Sequence, residues 1–188
     1  MRCLLILSSL CLVAGGALGQ SAPKAVLSPA QQTAVETQSR VFLGWGRDPQ
    51  LVGAVKGQNA KKVTMDQIQK ADADWMAGRS DARIWELIGN SCAQRLRALM
   101  KGQPALAEAF VMDNQGALVC ASKQTSDYWQ GDEAKWQKSY NGGKGQVFID
   151  QPRYDMSTRI VQVQVSVPVK DGETTIGAIT VGLDPSKL

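Results

Sequence analysis

The sequence predicts an α+β fold, in which a long helical region at the N-terminus packs on one face of a five-stranded antiparallel sheet. Apolar residues recur at helical spacing up to about residue 106, and alternation with a period of two replaces that spacing from residue 107. Glycine-containing turns separate five strand-like runs in this second part. We therefore expect a helical region over 28–106 and a sheet domain over 107–188.

The first nineteen residues have the composition of a signal peptide. Arg2 supplies a positive charge, an apolar run follows, and Ala17-Leu18-Gly19 offers the small residues that a signal peptidase recognises. The apolar run is shorter than the roughly 20 residues that span a bilayer, and no second run follows it. We expect cleavage after Gly19, a flexible leader over 20–27, and a periplasmic protein without a direct membrane anchor.

Three helix starts carry N-terminal signals. Ser28-Pro29-Ala30-Gln31 and Thr64-Met65-Asp66-Gln67 each contain a capping box, and Asp48-Pro49 begins another helix between them. Two further helices are predicted from apolar residues at helical spacing, which are Ile84, Leu87 and Ile88 in one and Cys92, Leu96 and Leu99 in the other.

A hairpin and a three-stranded meander make up the predicted sheet. The hairpin strands flank Asn114-Gln115-Gly116, where glycine meets the need for a positive φ. A short helix is expected over 132–140, with Asp132 as its N-cap, Glu133 near its N-terminal dipole and Trp136 in the core. The strands are expected over 109–113, 117–121, 146–149, 160–169 and 175–183.

The longest strand pattern alternates between two kinds of residue. Valines occupy one face, and Gln162, Gln164 and Ser166 occupy the other. The valines are expected to meet the helical region. The polar face has two interpretations that stay open here, which are a solvated surface, the usual cause of such alternation, and the lining of a pocket.

The composition excludes several kinds of chemistry. The chain has no histidine, which removes Ser-His and Cys-His nucleophiles and the commonest metal ligand. Its 21 basic and 17 acidic residues are scattered and accompany no nucleic-acid motif, so no nucleic-acid partner is predicted. Neither a cofactor nor a metal is predicted. An enzyme built on this chain would have to use carboxylates, as glycoside hydrolases do.

Two of the four cysteines, Cys92 and Cys120, lie beyond the predicted signal peptide. In an oxidising compartment two cysteines can pair, and a bridge here would tie the helical region to the sheet. Two buried thiols are the alternative, because pairing depends on a geometry that the sequence does not give.

Five short motifs follow one another through the sheet region: Phe110-Val111-Met112-Asp113-x-x-Gly116, Tyr128-Trp129, Tyr154-Asp155-x-x-Thr158, Val165-x-Val167-Pro168-Val169 and Ile176-Gly177-Ala178-x-x-Val181-Gly182. Together they resemble the extracytoplasmic Cache (PDC) sensor domains over residues 109–184. The string from Thr125 to Trp136 is similar to the stand-alone periplasmic branch of this family. The resemblance implies a PAS-like sheet with a small-ligand pocket between the sheet and the segment that follows its second strand.

The resemblance further implies a binding domain of sensor type rather than an enzyme. A chain with neither a membrane anchor nor an output domain would signal through a separate membrane-bound sensor or receptor partner. The first alternative is a structural or adaptor module of a periplasmic complex that binds no ligand. A carboxylate-based hydrolase is the less favoured alternative.

The candidate ligand-binding residues lie on that segment and on the strands after it. Tyr128 and Trp129 offer flat walls with one hydrogen-bonding edge each; the alternative is that one of them packs under the helix as core. Asp155 matches an aspartate of the amino-acid-binding branch, and it can pair either with an amine of the ligand or with neighbouring Arg153. That branch also places an arginine two residues before its aromatic pair, where this chain has Asp127. A small polar metabolite with an amine, amide or neutral polar group is therefore expected before a simple carboxylate. The predicted set is Asp127, Tyr128, Trp129, Arg153, Tyr154, Asp155, Gln162 and Gln164.

Overall fold

The computed structural model describes residues 26–155 and 159–188. The predicted signal peptide, most of the predicted leader, and Thr158 of the third motif lie outside the described residues. None of the helices in these ranges is long and apolar enough to cross a membrane. Five helices precede the sheet, namely α1 (Pro29–Trp45), α2 (Pro49–Ala60), α3 (Met65–Met76), α4 (Asp81–Gly89) and α5 (Ser91–Met100).

The sheet contains the five predicted strands and a short sixth one, and the predicted α+β class is confirmed. The strand order is β2-β1-β6-β5-β3, every pairing is antiparallel, and β4 pairs with the first residues of β5. The elements are β1 (Leu106–Met112), β2 (Leu118–Ala121), α6 (Ala134–Tyr140), β3 (Phe148–Ile149), β4 (Arg153–Asp155), β5 (Ile160–Asp171) and β6 (Thr174–Leu183).

The predicted starts of the first three helices are confirmed. Capping boxes form at the N-termini of α1 and α3. Asp48 caps α2, and its second carboxylate oxygen accepts two hydrogen bonds from Arg95 of α5, at 2.9 and 2.7 Å. Burial raises the pKa of Asp48, but the hydrogen bonds from Arg95 and from backbone amides outweigh it and hold the pKa below its ordinary value. This pair fastens α2 to α5.

The valine face of β5 forms the main apolar core. Val163, Val165, Val167 and Val169 are fully buried and pack with side chains of α1, α2 and α5, as the alternation predicts. Val161 lies at the start of the strand, outside that core, and is 37% exposed. The helical region therefore covers the face of the sheet that the sequence assigns to it.

A second apolar cluster lies on the opposite face of the sheet. The sheet contributes Phe110, Met112 and Ala178, and α3 and α4 contribute their own buried stripes. The expected packing on one face holds for α1, α2 and α5, whereas α3 and α4 cover the other face. Both helices carry a separate apolar stripe, which must be buried against some part of the sheet.

Cys92 of α5 and Cys120 of β2 form a disulfide, with their Cα atoms 5.8 Å apart. This decides between the two alternatives that the sequence leaves open. The bridge ties α5 to β2, the outermost strand on that side of the sheet.

Replacing both cysteines by alanine is expected to lower the free energy of unfolding by about 3–4 kcal/mol, because a loop closed over 28 positions regains its entropy in the unfolded state. Urea unfolding of the oxidised wild type and of the double variant measures the difference. Wild type treated with a reductant serves as the control and should approach the variant. A loss below about 1 kcal/mol would contradict the expectation.

Candidate ligand-binding site

A polar cavity of about 190 Å³ lies between β4, the start of β5 and the connecting segment, by which we mean residues 122–133 between β2 and α6. This outer cavity is lined by Ser126, Glu133, Lys135, Asp150, Gln151, Arg153, Tyr154, Asp155, Gln162 and Gln164. An inner cavity of about 20 Å³ shares four of these residues and adds Glu108, Phe110, Thr125 and Gln130. The shared residues make the two cavities parts of one site.

The floor of the site is the polar face of β5. Side chains alternate across a strand, so Gln162 and Gln164 point away from the valine core and toward the connecting segment. β4 lies antiparallel to this part of β5, with Arg153 opposite Gln162. The polar face is thus a covered lining rather than a solvated surface.

A buried hydrogen bond crosses the sheet beneath the site. Nε2 of Gln162 donates to Oε1 of Glu108 at 2.8 Å, and both residues are buried. Their side chains pass over Gly182 of β6, where an added Cβ would lie 2.4 Å from Oε1 of Gln162. Glycine at this position therefore makes room for the contact.

The connecting segment is held by Asp72 of α3 and by an antiparallel bridge between Trp129 and Ala117. One oxygen of the Asp72 carboxylate accepts hydrogen bonds from the backbone N–H groups of both Tyr128 and Trp129, each at 2.9 Å. The sequence did not single out Asp72, because nothing in its pattern distinguishes it from the other polar residues of an amphipathic helix. It acts on the site by positioning the segment that covers it.

Two indole groups and a glycine contact add to this anchoring. Nε1 of Trp129 donates to the carbonyl of Gln115 at 2.8 Å, and Nε1 of Trp136 donates to the carbonyl of Asp113 at 3.0 Å. Gly116 has φ +86° and lies close to Gly131. A Cβ atom added to Gly116 would lie 2.3 Å from the Cα atom of Gly131. The segment is therefore fixed against the β1–β2 turn.

Three of the predicted site residues lie outside the cavities. The ring of Tyr128 is buried in the second apolar cluster beside Trp75, and Arg83 lies over it. Trp129 packs against the same cluster. Asp127 is bonded locally and accepts hydrogen bonds from Ser126 and Gln130. The structure does not bring these three side chains together with Asp155 in one cavity.

The other five predicted residues line the outer cavity together. Arg153 donates to Asp150 at 2.8 Å, and its side chain stays largely exposed. Tyr154 is 59% exposed at the rim. Asp155 contacts both the outer and the inner cavity, as does Gln164. Gln162 supplies the link to Glu108.

The predicted N-terminus of α6 is wrong in one respect, and Glu133 forms an ion pair there with Lys135. Asp132 is exposed and is not the N-cap; the cap is Glu133, whose side chain makes no capping bond and instead lies 3.0 Å from Nζ of Lys135. Lys135 is buried, 5.3 Å above the ring of Phe110. Burial raises the pKa of the Glu133 carboxyl, and the Lys135 ammonium opposes that shift.

Three residues of the site are not predicted from the sequence, and only Glu108 carries a signal there that could identify it. Glu108 interrupts an otherwise apolar strand, Leu106–Met112, and a carboxylate at such a position requires a partner. Gln130 and Lys135 carry no comparable signal, because they face the cavity only as a result of how the connecting segment folds over the sheet. Within the described ranges, no group of three or more cysteine, aspartate or glutamate side chains is arranged to hold a metal ion.

A scan against protein-family models gave no match, and a search of curated proteins gave none either. Similar folds occur among solved structures, including the extracellular domain of the putative histidine kinase rpHK1S-Z16. That domain has 15% identity and a TM-score of 0.42, over 81% of this chain and 58% of that chain.

Two further structures of this kind are sensory domains. The ligand-binding domain of the Campylobacter jejuni chemoreceptor Tlp3, in complex with 4-methylisoleucine, has 12% identity and a TM-score of 0.41 over 84% and 61% of the two chains. The sensor domain of the V. cholerae histidine kinase DctB has 13% identity and a TM-score of 0.40 over 84% and 58%. This chain spans less than two thirds of each of the three. The likeness is remote.

The raised pKa of Glu133 predicts a pH effect on stability. A raised pKa means that the folded state holds the proton more tightly than the unfolded state, so ionisation costs stability as pH rises above the ordinary value of 4.5. Relative to wild type, Glu133→Gln should therefore gain stability between pH 4 and pH 7.

Urea unfolding of both proteins across this pH range measures the difference. Asp132→Asn, which removes the same charge from the exposed neighbouring residue, is the control and should show a smaller trend. A variant that instead loses stability relative to wild type as pH rises would mean that the ion pair with Lys135 outweighs the cost of burial.

Proposed function

We propose that this chain is an extracytoplasmic binding domain of sensor type, which holds a small polar metabolite in the outer and inner cavities. The observation that carries the proposal is the set of buried polar side chains around the site, namely Glu108, Gln130, Lys135 and Gln162. Burying such groups is costly unless they are hydrogen-bonded. Apolar residues at these positions would suffice for a stable core. Binding of a polar ligand explains why polar residues occupy them instead.

The inner end of the site favours ligands that donate hydrogen bonds. Among the residues that the structure describes, no hydrogen bond reaches Oε1 of Gln130, which lines the inner cavity, or Oε1 of Gln162, which lines the outer cavity. The carboxylates of Glu108 and Asp155 also line the inner cavity, and all of these oxygens are acceptors. An ammonium, amide or hydroxyl group fits this end, and a carboxylate of the ligand would have to lie near Lys135.

The proposed setting is the periplasm, with signalling through a separate membrane-bound partner. The disulfide between Cys92 and Cys120 is in keeping with an oxidising compartment, and the N-terminal nineteen residues have the composition of a signal peptide. The cavity lies between the sheet and the segment after its second strand, where the resemblance to Cache domains places a ligand pocket. In this role the chain binds its ligand without transforming it.

A thermal-shift screen against small polar metabolites, covering amines, amides, polyols and carboxylates, tests the proposal. Amines, amides or polyols are expected to raise the melting temperature, and calorimetry on the best compound then gives the affinity. Asp155→Ala should weaken binding about tenfold or more, because one hydrogen bond to a charged group is worth roughly 1.5–3 kcal/mol. The melting temperature of the free variant is measured alongside, so that an effect on the fold is distinguished from an effect on binding.

Two further variants sharpen this test. Gln164→Phe should fill the outer cavity and abolish binding, while Asp132→Ala removes a carboxylate that does not line the site and should leave the affinity unchanged. Equal affinities for all the variants would place the ligand elsewhere on the domain. A screen in which no compound shifts the melting temperature would favour a structural module instead.

A further inference from the structure

A second concave surface, which we call the basic groove, lies where β1 extends beyond its partner β2. Its volume is about 490 Å³, and its lining consists of Arg97, Ala98, Met100, Lys101, Ala107, Ser122 and Lys123. β2 pairs with β1 only from Phe110 onward, so α5 forms one wall of the groove and residues 122–123 form the other. Three cations and no carboxylate belong to this described lining.

The chemistry of the basic groove divides into a floor and a rim. Met100 and Ala107 are half-buried and give it an apolar floor, and Ala98 is an exposed residue of the α5 wall. Arg97 is fixed in the rim, because its guanidinium donates to the carbonyls of Ile88 at 2.7 Å and Ser122 at 3.3 Å. Lys101 follows the last turn of α5 and is exposed. A groove with these properties fits an extended chain that presents carboxylates to the rim and small apolar groups to the floor.

Lys123, the third cation of the rim, lies beside a carboxylate that also lines the inner cavity. Nζ of Lys123 lies 3.8 Å from Oε2 of Glu108, whose side chain is only 4% exposed. The other oxygen of Glu108 accepts the hydrogen bond from Gln162, and Glu108 also lines the inner cavity. One buried carboxylate is thus shared between the two surfaces.

We propose that the basic groove docks an extended acidic segment of a partner protein, and that the ligand site regulates this docking through Glu108. A ligand that donates a hydrogen bond to Glu108 competes with Lys123 for its negative charge, and Lys123 then becomes available to a carboxylate of the partner. Coupling of this kind is reciprocal, so the partner also strengthens ligand binding. The docking of an acidic segment does not depend on the proposed function, whereas its regulation by a ligand through Glu108 rests on that function.

A protein segment fits the groove better than other polyanions do. Nucleic acids are bound through long arrays of phosphate contacts, and anionic membranes attract clusters of exposed lysine and arginine at a surface. The described lining of the groove contains only three cations, fewer than the roughly four to eight lysines and arginines of a membrane-binding cluster. The small apolar side chains between these cations suit a polypeptide segment in which acidic and apolar residues alternate.

Fluorescence anisotropy with a labelled peptide of alternating glutamate and alanine tests the docking on the ligand-free protein. Lys101→Gln should weaken binding about three- to fivefold, which is typical of a partly exposed ion pair. Lys123→Gln should weaken it by a smaller factor, because Glu108 already attracts Lys123 when no ligand is bound. The double variant should lose more than either single variant. Lys61→Gln combined with Lys144→Gln is the matched control, because it makes the same change in net charge at two exposed lysines outside the groove.

Glu108→Gln tests the connection between the two surfaces. Glutamine can still accept the hydrogen bond from Gln162 but no longer attracts Lys123, so the peptide should bind about threefold more tightly, as expected for a weak ion pair. An unchanged affinity of this variant, in a protein with a normal melting temperature, would overturn the regulation by Glu108.

Other outcomes would overturn the docking itself. These are an absence of peptide binding at low salt, equal losses in the groove variants and in the control, or binding to vesicles of phosphatidylcholine mixed with phosphatidylserine in place of the peptide. Because the peptide is measured without any small molecule, a failure here leaves the result of the metabolite screen untouched.

Discussion

The contact on which the site depends is the one between the carboxylate of Asp72 and two backbone N–H groups of the connecting segment. By accepting hydrogen bonds from Tyr128 and Trp129, Asp72 fixes the middle of a stretch whose only β-bridge, among the residues that the structure describes, is the one between Trp129 and Ala117. The ring of Tyr128 then packs into the apolar cluster, and Gln130 and Lys135 turn toward the sheet. The roof of the cavity is therefore a consequence of where α3 lies.

The alternation in β5 imposes the second constraint. Its valines secure the sheet to α1, α2 and α5, which obliges Gln162 and Gln164 to occupy the opposite face. Because the connecting segment and α6 cover that part of the sheet, the polar groups there are removed from water and must find partners. Glu108 satisfies one of them and at the same time faces Lys123. The same carboxylate thus lies between the inner cavity and Lys123 of the basic groove.

Local signals predicted the framework well. The capping boxes, the hairpin turn and the period of β5 are short-range features, and the structure confirms them. The passage of α3 and α4 to the second face was not predictable, because an amphipathic stripe shows that a helix is buried without showing against which surface. β4 was missed, since three partly exposed residues, Arg153–Asp155, carry no alternation.

The candidate site divides in the same way. Gln162, Gln164 and Asp155 followed from strand pattern and motif, and the structure places them together around one cavity. Residue type and motif also predict Tyr128 and Trp129 as walls of the pocket. Aromatic rings suit a core as well as a pocket, and the structure anchors both residues to α3 and packs them against the apolar cluster instead. Lys135 is not predicted as a site residue from the sequence, because its position over Phe110 depends on the tertiary fold.

Amide hydrogen exchange of the variant Asp72→Ala tests most directly whether this single carboxylate holds the roof of the site. The amides of Tyr128 and Trp129 should lose about tenfold or more of their protection, as expected for a hydrogen bond to a charged group, while amides of β6 keep theirs. Asp74→Ala, two residues along the same helix, is the control and should leave Tyr128 and Trp129 protected. Unchanged protection of these two amides in Asp72→Ala would contradict the account, because the segment would then be held by something other than Asp72.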